Sequence, residues 1–122
     1  MNDITVNVPG ITWRKITDQN CTAIEGGADH WLESFKPRPE DKARATERPW
    51  YDDEKVWSGD FSIRCKVENN VRIFDREAVN QGLQWLAANH LWRLEQIVKE
   101  TGDAETADVF LQACVLGDIV YG

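Results

Sequence analysis

The sequence predicts an α+β fold in which an antiparallel sheet with a central hairpin packs against a pair of C-terminal helices. Apolar and polar side chains alternate over residues 61–67, and a second apolar run covers residues 71–74 after a short polar turn. This arrangement is typical of a β-hairpin. Helical patterns follow over residues 76–100 and 104–116. At 122 residues the chain is expected to form one domain.

Short elements are predicted before the hairpin. Residues 4–8 alternate apolar and polar side chains, and residues 11–16 form a second short apolar piece, so both are expected to be strands. A helix is predicted over residues 18–25. It is expected to end at Gly26-Gly27, because glycine adopts the positive φ angles common at helix termini. Another strand is then predicted over residues 28–36.

Residues 37–57 are predicted to form a long polar loop. This segment contains Pro37, Pro39 and Pro49, many charges and few aliphatic side chains. A connection of this length is usually functional or disordered. Its far end carries aromatic and acidic side chains, which are Trp50, Tyr51, Asp52, Asp53, Glu54 and Trp57. The aromatic residues either fasten the loop to the core or contact a partner.

The two C-terminal helices carry recognisable end signals. Asp75 and Asp103 are suited to cap the N-termini, while Gly102 and Gly117 are suited to end the helices. Residues 118–121 are expected to add a last short strand.

The longer helix has apolar side chains on two faces. A narrow core stripe is formed by Val79, Leu83, Leu86, His90, Leu94 and Ile97. Trp85 and Trp92 project away from this stripe, so the helix is either covered on both sides within the chain or contacts another chain. Although it lies on the core stripe, His90 is interpreted as a hydrogen-bonded core or interface group rather than a general base. Gly82 predicts a close backbone crossing.

Composition and charge restrict the classes of partner. The chain has 21 acidic and 14 basic residues and a formal charge of -7. It is therefore expected to bind neither nucleic acid directly nor a membrane. No apolar run approaches the roughly 20 residues of a membrane-spanning helix. The three cysteines follow no disulfide or metal-ligand spacing, which favours a reduced cytoplasm and predicts no metal or other cofactor.

A second candidate site surrounds the paired glycines. Glu25 and Gly26-Gly27 lie at a predicted helix end, where glycine lets a ligand approach the backbone, and Trp31 would form a pocket wall. A small, nucleotide-like ligand bound there is the alternative to a protein partner. A cysteine hydrolase using Cys21 and His30 is a residual interpretation, because the sequence shows no orienting third group or oxyanion donor.

Two parts of the chain resemble small hypothetical proteins of bacteriophages and prophages. They are residues 22–27 (Thr-Ala-Ile-Glu-Gly-Gly) with the following Trp31, and the ending from residues 103–108 through 117–122. Those proteins have no assigned function, so the resemblance gives no residue a role. It implies a mobile-element setting, in which small acidic proteins often bind host components, including defence systems.

The sequence therefore favours a non-enzymatic protein that binds a host protein in the cytoplasm of a bacterial cell, with inhibition of that host protein left open. Tryptophan is strongly enriched in binding hot spots, and the chain has six. The predicted contact residues are Trp50, Tyr51, Asp52, Asp53, Trp57, Trp85 and Trp92. Self-association into a homodimer remains open.

Overall fold

The computed structural model describes residues 10–122, which form six α-helices and a three-stranded antiparallel sheet. The strand predicted at residues 4–8 lies outside the described residues. The helices are α1 (Trp13–Thr22), α2 (Pro39–Ala43), α3 (Glu54–Trp57), α4 (Arg76–Asn89), α5 (Leu91–Lys99) and α6 (Ala104–Leu116). The strands are β1 (Ser34–Pro37), β2 (Ser62–Val67) and β3 (Asn70–Asp75), in the order β1-β2-β3. The predicted α+β class is confirmed.

Helix α1 covers most of residues 11–16, so the strand predicted there is wrong. The hydroxyl oxygen of Thr12 accepts a hydrogen bond from a backbone amide of the first turn and caps the helix. The buried side chains of α1 are Ile16, Thr17 and Asn20, which follow helical spacing. Because two of these buried side chains are polar, the pattern of apolar residues in the sequence does not show the helical period.

The chain reverses after α1 through a π-helical turn, Ala23–Gly27. Gly26 adopts a φ of 153°, which glycine tolerates because it has no Cβ, and the predicted helix end is confirmed. The strand predicted over residues 28–36 is too long at its start. The Trp31 amide donates to the Ala28 carbonyl oxygen in a further turn, so β1 begins only at residue 34.

The predicted hairpin is confirmed in β2 and β3, which pair from Ser62 opposite Asp75 to Val67 opposite Asn70. Positive φ angles of 49° and 66° in the intervening turn match a tight two-residue connection. The inner face of the sheet contributes Phe35, Ile63, Cys65, Val67 and Phe74 to the core. Helix α6 packs against this sheet and against α4.

The predicted polar loop at residues 37–57 is folded, and it contains α2 and α3. Asp41 is fully buried and organises this segment. Its carboxylate accepts hydrogen bonds from the side chains of Arg38 at 2.9 Å and Arg44 at 3.0 Å, and from the Ser62 amide at 3.3 Å. The segment is therefore tied to the first residue of β2 by a buried charge.

The C-terminal helices differ from the prediction in two places. The helix predicted over residues 76–100 is divided by a kink at His90, and the strand predicted at residues 118–121 is absent from the described fold. The amides of Val120 and Tyr121 instead donate to the side-chain oxygen of Gln112 at 2.8 and 2.9 Å. Every residue of α6 from Thr106 to Val115 is buried, so α6 is the central helix of the core.

Candidate interaction site

A kink at His90 separates α4 from α5. His90 has φ -144° and ψ 61°, outside the helical region. The side-chain amide of Asn89 donates to the Trp85 carbonyl oxygen at 2.9 Å, and local side-chain bonds of this kind compete with backbone helix bonds. Leu91 and Trp92 follow the kink directly, and each is 53% exposed. The predicted core position of His90 is wrong, because His90 lies at the kink and is only partly buried.

A buried arginine holds the exposed ring of Trp92 in place. The guanidinium of Arg93 lies 4.0 Å from the centre of the Trp92 ring, a cation-π contact. Arg93 is 8% exposed, and it donates to Glu105 at 2.5 Å, to Gln96 at 3.2 Å and to Thr106 at 3.3 Å. These contacts fix the guanidinium, so the Trp92 ring has a cation-π partner in the free chain.

We refer to Leu91 and Trp92, both exposed directly after the kink, as the Trp92 patch. Trp85 is partly buried against the core, and its ring centre lies 5.4 Å from that of His90. All six tryptophans lie in the described residues, and Trp92 is the one with an exposed side chain. Sequence reasoning missed Leu91 and Arg93. Leu91 was recognisable as a large apolar residue outside the predicted core stripe and adjacent to Trp92.

Most of the partner-binding surface that the sequence predicts around Trp50 and Trp57 is buried within the chain. Trp57 is fully buried, its ring contacts those of Phe35 and Phe61, and its indole nitrogen donates to the Tyr51 carbonyl oxygen at 2.8 Å. Trp50 is half-buried against the Trp57 ring, with 5.9 Å between the ring centres. Of the two alternatives for these aromatic residues, the structure shows them fastening the segment to the core.

The neighbouring polar residues are also engaged within the chain. Tyr51 donates its hydroxyl to Glu25 at 2.9 Å, and the Asp52 carboxylate forms an ion pair with Arg14 at 2.8 Å. Asp53 is 5% exposed and caps α3. Hydrogen bonds from the backbone, led by that of Lys55, lower the pKa of Asp53 although burial opposes them.

Trp31, in the second candidate site, is a core residue. It is 5% exposed, and its indole nitrogen donates to the Asp108 carboxylate at 2.5 Å. Its ring stacks on that of Tyr121 with 6.1 Å between centres. A ligand at this position would have to displace Tyr121 before it could reach the face of the indole.

The two glycines of the second site differ in packing. Gly27 packs against the Ala104 carbonyl oxygen, which would lie 2.8 Å from an added Cβ, whereas Gly26 is open to solvent. Glu25 is held by Tyr51. A small ligand at this turn stays a prediction, and these contacts supply no enclosed pocket for it.

The structure places the two residues of the hydrolase interpretation in different environments. Burial, with the carboxylates of Asp52 and Glu25, raises the pKa of the Cys21 thiol to about 12. His30 instead pairs with Asp108 at 3.3 Å. A thiolate is the nucleophilic form of cysteine, so Cys21 is not activated by its surroundings.

A polar cleft of about 190 Å³ lies between α1 and the connection from α5 to α6. It is smaller than the roughly 300–1,000 Å³ of most small-molecule pockets. None of Glu25, Gly26, Gly27 or Trp31 lines it. Its lining residues are Lys15, Asp18, Gln19, Thr22, Ile97, Glu100, Gly102 and Asp103.

Within residues 10–122, the His, Cys, Asp and Glu side chains include no group of three arranged to hold a metal ion. None of the helices in this part of the chain combines the length and the apolar character required to cross a membrane.

Comparisons with known proteins do not assign the chain to a family. No family model matches the chain, and neither the curated proteins nor the solved structures yielded a match. The resemblance to phage and prophage proteins therefore stays a prediction.

Proposed function

We propose that this protein is a non-enzymatic interaction protein that binds another protein through the Trp92 patch. The observation that supports this most directly is the half-exposed Trp92 ring held over the buried guanidinium of Arg93. Large aromatic side chains dominate binding energy at interfaces, and a side chain that is already ordered loses less conformational entropy on binding. Leu91, the preceding residue, is equally exposed and adds a second large apolar side chain at the start of α5.

The partner that fits this patch presents an apolar pocket able to accept an indole ring. In the phage-type setting implied by the sequence resemblance, that partner is a host protein in the bacterial cytoplasm. Self-association of the chain through the same patch is a second form of the proposal. Both forms depend on Trp92, so one substitution tests them together.

Affinity capture from a bacterial lysate, comparing the native chain with Trp92→Ala, tests the proposal. We expect one stoichiometric protein with the native chain, and binding weaker by roughly 30-fold or more in the variant, since loss of a hot spot costs about 2 kcal/mol or more. Val120→Ala is the control, because Val120 is 60% exposed and lies outside the patch. It should capture the same protein as the native chain.

Sedimentation velocity over a range of concentrations tests the self-associating form. A native dimer that becomes monomeric in Trp92→Ala, but not in Val120→Ala, would support it. The proposal fails if the native chain captures nothing and sediments as a monomer throughout, or if Trp92→Ala binds as tightly as the native chain.

A further inference from the structure

The outer face of the sheet carries cations in a protein whose net charge is -7. The register places Lys36 of β1 opposite Arg64 of β2, and Arg64 opposite Ile73 of β3. In the next row Lys66 lies opposite Val71. Cross-strand partners point to the same side of a sheet. These five residues therefore share one face, which we call the basic sheet face.

The basic sheet face is open to solvent. All three of its cationic side chains are exposed, and Val71 and Ile73 are 50% and 45% exposed. Within the part of the chain that the structure describes, neither Lys36, Arg64 nor Lys66 takes part in an ion pair. The face thus combines unneutralised positive charge on β1 and β2 with bare aliphatic side chains on β3.

The arrangement is unfavourable for the chain alone. Like charges directly opposite each other on neighbouring strands destabilise a sheet, and Lys36 and Arg64 are such a pair. Exposed aliphatic side chains on the same face retain unfavourable contact with water. A ligand that brings carboxylates to the cations and apolar groups to Val71 and Ile73 would relieve both.

We propose that the basic sheet face docks an extended, acidic protein segment that presents carboxylate and aliphatic side chains in alternation on one side. The carboxylates of the segment would pair with the three cations, and its aliphatic side chains would pack on Val71 and Ile73 of β3. This surface uses none of the residues of the Trp92 patch, so the inference goes beyond the function proposed above.

Nucleic acid fits the same face poorly. Sheets that bind single-stranded nucleic acid stack bases on aromatic side chains, whereas Phe35 and Phe74 belong to the inner face and the core. Residues 1–9 carry a single carboxylate side chain, Asp3, which is too few to balance three cations.

The direct test is the fluorescence anisotropy of a fluorescein-labelled peptide of repeating Glu-Glu-Val-Val, titrated with the full chain. In an extended peptide with this repeat, each side presents glutamate and valine in alternation. We expect saturable binding that weakens as NaCl is raised, because salt screens the exposed charges. Lys-Lys-Val-Val and Glu-Glu-Ser-Ser peptides and an oligodeoxythymidine carry the same label for comparison.

Charge-reversal variants locate the binding surface. Arg64→Glu with Lys66→Glu should bind the peptide about tenfold or more weakly. Lys42→Glu with Arg48→Glu, a matched change at exposed positions elsewhere, should bind it like the native chain. The milder Arg64→Gln also removes the repulsion with Lys36, so it should weaken binding without lowering the melting temperature.

Four outcomes would overturn the inference. They are no binding of the Glu-Glu-Val-Val peptide, equal or tighter binding of the lysine peptide or the oligonucleotide, equal binding of the serine peptide, and equal loss in both reversal variants. Trp92→Ala separates the two proposals, because it should bind the peptide like the native chain whether or not the Trp92 patch is functional.

Discussion

Asp41 is a buried carboxylate whose charge is balanced within the chain. Burial alone raises the pKa of this group, but hydrogen bonds from Arg38 and from the Ser62 amide outweigh burial and lower it below its ordinary value of 3.8. A folded-state pKa below the unfolded one means that the ionised carboxylate stabilises the fold above about pH 4. This contribution is lost as the pH falls through the folded-state pKa.

Replacing Asp41 with asparagine should therefore have a pH-dependent effect. At pH 7 we expect Asp41→Asn to lower the free energy of unfolding by about 2 to 3 kcal/mol, because two arginines lose their counter-charge. The difference from the native chain should shrink as the pH falls below about 4 and through the folded-state pKa, because Asp41 protonates first in the unfolded chain and only at lower pH in the folded one. Urea unfolding at neutral and acidic pH measures both. Asp29→Asn, at an exposed position, is the control, and a difference that is constant with pH would contradict the prediction.

The crossing of α4 and α6 depends on Gly82. A Cβ added there would collide with the Cys114 sulfur and lie 2.9 Å from the Cys114 Cα. Although alanine favours a helix interior by about 1 kcal/mol, we expect Gly82→Ala to lower the free energy of unfolding by about 1 to 3 kcal/mol through overpacking. Thermal melts followed by circular dichroism measure this.

Asn80→Ala is the control for Gly82→Ala, because it changes helix propensity in α4 without changing the packing of α4 against α6. Asn80 is exposed on α4, so its replacement by alanine should leave the melting temperature unchanged or raise it slightly. A melting temperature that rises in Gly82→Ala as well would show that the helices do not cross as closely as the structure places them.

Three element ends were predictable from a local signal, whereas the helix end predicted at Gly102 is wrong, because α5 ends at Lys99 and Glu100 adopts the left-handed conformation with a φ of 56°. The side chains of Asp75 and Asp103 accept hydrogen bonds from the first turns of α4 and α6, and Gly117 ends α6 with a φ of 73°. The break at His90 was not predictable, since the apolar stripe continues through it and the bond from Asn89 to the Trp85 carbonyl leaves no mark on hydrophobic periodicity.

The aromatic cluster around Trp57 joins the folded 37–57 segment to the sheet, so it affects the whole molecule. Because Trp57 is fully buried, we expect Trp57→Ala to lower the free energy of unfolding by about 3 to 5 kcal/mol. That is a large share of the roughly 5–15 kcal/mol that stabilises a typical domain. Trp92→Ala should change it by less than about 1 kcal/mol, because half of Trp92 is already exposed.

Parallel thermal and urea unfolding of the two variants compares these effects. Equal stability of Trp57→Ala and Trp92→Ala would show that the Trp57 cluster is not part of the core. The expected contrast also matters for binding experiments. Loss of a partner in a Trp57 variant would report unfolding, whereas loss in a Trp92 variant with an unchanged melting temperature would report the interface.

The sequence by itself determined the α+β class, the β2–β3 hairpin and the N-terminal caps of α4 and α6, because each depends on residues that are neighbours in the chain. The tertiary structure alone decided which tryptophans are exposed. Trp57 is enclosed by Phe35, Phe61 and Phe74, whereas Trp92 is left outside by a kink. Burial depends on packing between elements distant in sequence, and neither residue type nor local periodicity contains that information.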